Sequence, residues 1–147
     1  MSTARNDAQV EFVDALGAVA FAVMAALTKL AATHDLSLTQ VRMIGILRDR
    51  RLTISELAGA LGLDRSSVSG LVDRTEKRGL IERAPNPADA RSVLVTVSPV
   101  GSAAVAAGAA EIARLLTPIT DALTPTETRR LTTLLERMLD HRGLPTD

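Results

Sequence analysis

The chain of 147 residues contains no cysteine, tryptophan or tyrosine, and its only phenylalanines are Phe12 and Phe21. The absence of cysteine excludes a disulfide scaffold, a thiolate zinc site and a thiol nucleophile. His34 and His141 lie far apart in the sequence, so we expect no histidine-based metal cluster and no cofactor. Equal numbers of basic and acidic residues, 17 each, argue against a protein that coats nucleic acid by bulk charge.

Long hydrophobic runs are also absent. Hydrophobic residues make up 46% of the chain, which is enough to bury a core, and the length is typical of one domain. The most apolar stretch, residues 15–27, is shorter than the ~20 residues that a membrane span needs. The first residues lack the basic region and apolar run of a signal peptide. We therefore expect one cytoplasmic domain over residues 1–147, with no membrane segment.

Most of the chain has the periodicity of helices. In residues 8–33, apolar side chains recur every three or four positions, and the opposite face carries alanines rather than charges. A helix that is apolar nearly all round is buried on more than one side, which in so small a protein indicates a partner chain. A second helix is expected over residues 38–50, behind a capping box formed by Ser37 and Gln40, with Thr39 as an alternative cap.

Two shorter helices follow, separated by a turn. Residues 53–56 have the Thr-x-x-Glu spacing of a capping box, which predicts a third helix over residues 55–61. Gly62 is suited to end that helix, and Asp64 is suited to cap a fourth helix that runs over residues 65–78.

The remaining elements are two strands and two helices. Residues 80–84 and 93–97 are predicted strands, and the loop between them is too long for a tight turn. Ser98 followed by proline predicts a fifth helix over residues 99–120. The sequence from Thr124 to Glu127 combines a cap, a proline and a capping box, and it predicts a sixth helix that ends near residues 142–143.

The order of helices and strands over residues 38–98 is that of a winged helix-turn-helix, so the predicted class is mainly α with a small β-wing. We expect the apolar faces of the third and fourth helices to pack together through Leu57, Ala58, Leu61 and Leu63 on one and Val68, Leu71 and Val72 on the other. This packing leaves polar and small residues of the fourth helix free to contact base edges and phosphates. The candidate DNA contacts on this helix are Arg65, Ser66, Ser67, Ser69, Gly70, Arg74 and Lys77, with Arg78 as a further candidate for the DNA backbone. Ordinary solvated serines at a helix start are the alternative interpretation.

The stretch SSVSGLVDRTEKRGLIER, residues 66–83, resembles the recognition helix and first wing strand of the MarR family of bacterial transcriptional regulators. Asp89-Ala-Arg91 followed by LVTVSPVG, residues 94–101, resembles the wing signature of that family, with Val-Ser where the family has Leu-Thr. The resemblance implies that Arg91 enters the minor groove of DNA and that Asp89 orients the wing. A local surface ion pair is the alternative interpretation of Asp89 and Arg91.

The resemblance also implies a function. A MarR-like protein is a homodimer whose first, fifth and sixth helices, here residues 8–33 and 99–142, intertwine with those of a second subunit. It binds a pseudo-palindromic site in double-stranded DNA and regulates transcription, here as an expected repressor. The charge distribution agrees, because residues 48–91 carry a net charge of +2 between two ends of −1 each. A dimeric helical adaptor that does not bind DNA is the alternative, but it would have no need of Arg91 on a hairpin tip.

MarR-like regulators commonly release DNA when a small aromatic or phenolic ligand binds between the dimer helices and the DNA-binding module. The candidate effector residues are Phe21, Met24, His34, Arg42 and Met43, with Phe12 as a further candidate. For each apolar residue among them, a core position is the simpler interpretation. We expect no enzyme, because the sequence shows no glycine-rich phosphate loop, no metal-ligand spacing and no Ser–His–acid arrangement.

Overall fold

The computed structural model describes residues 2–140, with side chains from residue 5 onward. The elements in chain order are α1 (Ser2–Thr33), α2 (Leu38–Leu47), β1 (Leu52–Thr53), α3 (Ile54–Leu61), α4 (Arg65–Lys77), β2 (Ile81–Pro85), β3 (Val93–Val97), α5 (Pro99–Thr120) and α6 (Pro125–Asp140). The predicted class, mainly α with a small β-wing, is confirmed. The predicted end of the last helix near residues 142–143, like His141, lies outside the described residues.

Helix starts follow the capping chemistry of the sequence. Ser37 Oγ accepts a hydrogen bond from the Gln40 backbone N–H at 3.1 Å, and the Gln40 side chain accepts one from the Ser37 N–H at 2.9 Å. Ser37 is therefore the cap of α2, and the alternative, Thr39, lies inside the helix. The same reciprocal pair opens α3 at Thr53 and Glu56.

The end of α2 differs from the prediction. The helix stops at Leu47 rather than residue 50, because the chain must become extended in time for Leu52 and Thr53 to pair with β3. This two-residue strand, β1, was not predicted. The sheet is antiparallel in the order β1-β3-β2, and Val95 at its centre pairs with Leu52 on one side and Arg83 on the other.

The core lies within the winged module, residues 38–98. Its buried apolar side chains come from α2, α3, α4 and the sheet: Met43, Ile44, Leu47, Leu57, Ala58, Leu61, Val68, Leu71, Val72, Ile81 and Val95. A buried hydrogen bond of 3.0 Å from Gln40 Nε2 to Thr75 Oγ1 joins the start of α2 to α4. The packing predicted between α3 and α4 is therefore present, with one exception. Leu63 is 40% exposed, because the left-handed backbone of Gly62 turns the chain outward after α3.

The flanking helices α1, α5 and α6 contrast with this core. In α1, buried side chains occur at Ala26, Leu30 and Ala31, and α6 has none among its described residues. The expectation that α1 is buried on several sides is therefore not met within one chain. Large apolar side chains stay exposed along these helices, among them Phe12, Val19, Phe21, Met24, Ile119, Leu131, Leu134, Leu135, Met138 and Leu139.

Two of these helices, residues 5–33 of α1 and all of α5, are long and apolar enough to cross a membrane by length and composition alone. This corrects the expectation from residues 15–27, because the helix extends well beyond that apolar stretch. The observation is weak evidence for a span, since helices of a soluble core pass the same test. Here α5 contacts the winged module directly: a Cβ at Gly101 would lie 1.9 Å from the backbone oxygen of Leu80.

Candidate nucleic-acid interface

Helix α4 has one buried face and one open face. Val68, Leu71, Val72 and Thr75 are buried against the module. The opposite side exposes the predicted contacts Arg65, Ser66, Ser67, Arg74 and Lys77, whereas Ser69 and Gly70 are half-buried. A Cβ at Gly70 would lie 3.3 Å from Arg74 Nη1, so the absent side chain leaves room for the Arg74 guanidinium to cross the helix surface. The structure thus brings the predicted residues of α4 onto one accessible surface.

The hydroxyl groups at the start of α4 already have a partner. Ser66 Oγ and Ser67 Oγ each donate to a different oxygen of the Asp64 carboxylate at 2.6 Å, and the Ser67 backbone N–H donates to it at 2.8 Å. These hydrogen bonds, led by the one from Ser66, hold the pKa of Asp64 well below its usual range. Because each hydroxyl group already donates its hydrogen to Asp64, the two serines can only accept hydrogen bonds from other groups in this conformation.

Arg83 on β2 is a charged residue beside α4 that the sequence did not single out as a candidate. Its guanidinium lies 2.5 Å from Asp73 Oδ1 and also pairs with Glu76, so its one positive charge offsets part of the two negative charges of α4. The hydrogen bond to Asp73 is the main cause that raises the pKa of Arg83. The i, i+3 spacing of Asp73 and Glu76 places them on one helix face. That spacing, followed by an arginine in the next strand, is the signal that could have identified the pair.

The wing presents Arg91 at its tip. Asp89 Oδ1 accepts a hydrogen bond from the Arg91 backbone N–H at 3.0 Å, which fixes the loop, and it lies 3.6 Å from Arg91 Nε. Asn86 closes the base of the same loop by donating to Ser92 Oγ at 2.8 Å. The Arg91 side chain is nevertheless 94% exposed. The ion pair exists, but it leaves the guanidinium accessible from solvent.

Arg78, the further candidate for the DNA backbone, instead faces the end of α1. Its Nη2 donates to the His34 carbonyl oxygen at 2.8 Å, and its Nη1 donates to the Asp35 carbonyl oxygen. The α4 residues that expose a basic side chain without this engagement are Arg65, Arg74 and Lys77.

Comparisons with known proteins agree with this geometry. The MarR family model matches residues 34–92. Over 70 residues the chain is 37% identical to the multiple antibiotic resistance protein MarR of Salmonella typhimurium, which covers 47% of this chain and 49% of that protein. The crystal structure of apo MarR from E. coli superimposes with a TM-score of 0.66 at 28% identity, over 84% of this chain and 96% of that one. The winged module is therefore similar to that of the MarR family, and the chain shares the fold of the MarR structures.

Members of the MarR family are dimeric DNA-binding transcription regulators rather than enzymes. The matching stretch spans at most about half the length of the curated relatives. A further MarR-like structure is that of BpsR from Bordetella bronchiseptica, with a TM-score of 0.64 and 26% identity over 86% of this chain and 91% of that one. The DNA binding of BpsR is regulated by 6-hydroxynicotinic acid.

The candidate effector residues do not come together in this chain. Phe21 and Met24 are exposed on α1, about 20 Å and about 15 Å along the helix direction from His34. His34 pairs with Glu111 of α5 at 3.1 Å. The other two serve the module itself: Met43 is fully buried in its core, and Arg42 donates to the carbonyl oxygens of Ala60 and Leu61 at the end of α3.

Met43 therefore lies in the core, whereas Phe12, Phe21 and Met24 are exposed in the single chain and lie outside its core. A cleft of about 350 Å³ opens elsewhere, between the end of α2, the end of β3 and α5. Its lining residues are Arg48, Asp49, Val97, Ser102, Val105, Ala106 and Ala109, a set that contains none of the predicted effector residues.

Proposed function

We propose that this chain binds double-stranded DNA sequence-specifically as a cytoplasmic transcriptional regulator. The observation that carries the proposal is the charge arrangement of α4. Arg83 pairs with Asp73 and Glu76 from the side, so α4 together with Arg83 carries four basic and two acidic side chains, a net charge of +2 that includes the exposed Arg65, Arg74 and Lys77. A positive helix face beside an exposed wing arginine matches the negative phosphate backbone on both sides of a major groove.

The proposed roles divide between base edges and phosphates. Residues near the start of α4, namely Arg65, Ser66, Ser67, Ser69 and Gly70, are assigned to the bases of the major groove, because a recognition helix reaches base edges with its N-terminal residues. Arg74 and Lys77 are assigned to flanking phosphates. Arg91 is assigned to the minor groove, and Asp89 keeps the wing loop in the conformation that presents it.

The proposed assembly is a homodimer that reads a pseudo-palindrome and acts as a repressor. The exposed apolar faces of α1, α5 and α6 support it, since such faces mark protein–protein interfaces. A two-fold dimer places two recognition helices about one DNA turn apart, roughly 34–36 Å, so each half-site is read by one protomer. A dimer bound over a promoter blocks the polymerase by occupying the same DNA. Transcription in vitro with added protein tests whether the protein represses or activates.

The direct test is DNA affinity by fluorescence anisotropy on a site selected from random duplex DNA, at several salt concentrations. We expect affinity to fall as salt rises. Arg91→Ala should weaken binding about tenfold across sequences and reduce the salt slope by about one. Arg130→Ala, which removes the same charge from exposed α6, is the matched control and should bind like the parent.

The outcomes separate the two candidate functions. Normal DNA binding by Arg91→Ala would show that the wing arginine is not part of the DNA interface. A dimer that shows no salt-sensitive complex with any duplex would contradict DNA binding and favour the helical adaptor.

A small aromatic or phenolic effector is the last part of the proposal. BpsR, a relative of similar fold, is regulated by such an acid, and the cleft beside Arg48 offers a volume suited to a small ligand. A panel of benzoate, hydroxybenzoates and hydroxynicotinate added to the protein–DNA complex tests it. Release of DNA by one member, weakened by Ala106→Leu in the cleft wall, supports the effector site. Release that is unaffected by Ala106→Leu would show that the ligand binds outside this cleft.

A further inference from the structure

The three residues that follow the recognition helix contact both flanking helices. Arg78 donates to the carbonyl oxygens of His34 and Asp35 at the end of α1. Gly79 and Leu80 accept hydrogen bonds through their carbonyl oxygens from Ser98, the cap of α5, at 2.5 and 3.1 Å. We call residues 78–80 the junction. It joins the end of α4 to α1 on one side and to α5 on the other.

On the α1 side, the junction is held by the guanidinium of Arg78. Its planar fork lets Nη1 and Nη2 each reach a different carbonyl oxygen, which a lysine ammonium cannot match with the same rigidity. The acceptors are the carbonyl oxygens just past the last turn of a helix, where the helix dipole favours a cation. Asp35 adds a carboxylate oxygen 3.4 Å from Nη1, and its left-handed backbone, with φ of 52°, turns the chain out of α1 there.

The junction also closes a ring between the flanking helices. His34, whose carbonyl oxygen accepts from Arg78, pairs through its imidazole Nε2 with Glu111 Oε2 on α5 at 3.1 Å. Thus α4, α1 and α5 are tied in a triangle: α4 to α1 by Arg78, α1 to α5 by His34, and α5 to the end of α4 by Ser98. The α5 corner is sterically tight, because a Cβ at Gly101 would meet the Leu80 backbone.

From this geometry we infer that Arg78 is a positioning residue that fixes the angle of the recognition helix relative to the dimer helices, and so sets the half-site spacing that the protein accepts. The inference rests on the proposed function, since only a dimer on two half-sites has a spacing to set. Arg78 acts here through the α1 carbonyl oxygens and does not need to touch DNA. Without it, α4 remains in its core but the module is free to tilt against α1.

The experiment compares Arg78→Gln with Lys77→Gln, which removes the same charge one residue earlier on the exposed face of α4. Affinity is measured on duplexes whose two half-sites are moved apart or together by one base pair at a time, and on a single half-site. For Arg78→Gln we expect the preference for the best spacing over its neighbours to fall about threefold to tenfold, with single-half-site affinity unchanged. For Lys77→Gln we expect affinity to fall equally at every spacing.

A second readout needs no DNA. Since the chain has no cysteine, an Ala88→Cys substitution gives each protomer one spin-label site on the wing loop. The distance distribution between the two labels of a dimer should be narrow in the parent and broader with Arg78→Gln. Arg78→Lys keeps the charge and should give an intermediate width, and it replaces Arg78→Gln if that variant fails to fold.

The results that overturn the inference are distinct from those that overturn the function. An unchanged distance distribution and an unchanged spacing profile for the Arg78 variants would contradict the inference while parent DNA binding stands. A uniform loss at all spacings, matching Lys77→Gln, would make Arg78 a phosphate contact instead. If the parent binds no DNA but the labels broaden on Arg78→Gln, the positioning role stands and the proposed function fails.

Discussion

The winged module and the flanking helices use their apolar residues in opposite ways. The module closes a core around fully buried side chains such as Leu57, Val68 and Val95 within a single chain. Helix α6 has an equally regular apolar row, yet each member of it remains about 40% exposed. The difference is that the winged module buries its core within one chain, whereas the outer helices leave apolar faces uncovered. Folding and dimerisation should therefore respond to different substitutions.

The largest effect is expected where the module is tightest. Leu57→Ala removes a fully buried side chain from the contact between α3 and α4, which costs about 2–5 kcal/mol of the free energy of unfolding. Urea unfolding at two protein concentrations measures it. The loss should be the same at both concentrations if the module folds within one chain, and a loss that appears only in the dilute sample would break the comparison.

The second change addresses the flanking helices. Leu135→Glu places a charge in the exposed apolar row of α6, and burying an unpaired charge in an interface costs several kcal/mol. We expect the dimer dissociation constant to rise at least about a hundredfold, measured by analytical ultracentrifugation. Thr133→Glu adds the same charge on the opposite face of the helix and should leave the dimer intact. Equal dissociation by both variants would argue against the apolar row as the interface.

A third change addresses the outer surface of the module. Asp64→Ser keeps a capping side chain but removes the carboxylate to which the hydroxyl groups of Ser66 and Ser67 donate. The freed hydroxyls can then donate as well as accept, so we expect discrimination between the selected site and its base variants to fall about threefold. Anisotropy on both duplexes measures it. Asp121→Ser, the same change at the end of α5, is the control and should leave discrimination unaltered.

The smallest effect is expected at the Thr–Glu capping boxes, one of which lies in the winged module and the other on α6. Hydrogen bonds from Thr53 lower the pKa of Glu56 in the module, and hydrogen bonds from Thr124 lower the pKa of Glu127 on α6. A lowered carboxyl pKa contributes stability above the usual glutamate value, about 4.3, and that stability is lost as pH falls through the folded pKa. Replacing either glutamate by glutamine should therefore flatten the loss of stability below about pH 4.

Melting curves between pH 3 and 7 separate the two regions. Glu56→Gln should change the acid response of module unfolding by about two degrees in Tm, and Glu127→Gln should change that of dimer dissociation instead. If both variants altered the same transition, the two regions would unfold as one unit and the comparison would need revision.

The sequence predicted features that depend on local chemistry. The caps at Ser37, Thr53, Asp64 and Ser98 are confirmed, because each depends on a side chain and a backbone N–H within three residues. The strand over residues 93–97 is confirmed as well, since its alternation is local.

The sequence could not predict features that depend on where distant segments meet. Arg78 was a candidate for the DNA backbone, yet it binds carbonyl oxygens more than forty positions away in the sequence. Arg83 pairs with Asp73 of α4 only because β2 lies beside that helix. The exposure of Phe21 has a similar origin, because an apolar helical face looks alike in sequence whether its neighbour belongs to the same chain or to a second one.

The measurement that tests the central claim most directly is the selection of bound sequences from random duplex DNA by the intact protein. Two α4 helices related by a two-fold axis predict enrichment of an inverted repeat with half-site centres about 10 base pairs apart. Enrichment of a site without two-fold symmetry, or no enrichment over the starting pool, would contradict a dimer that reads DNA through α4 and the wing.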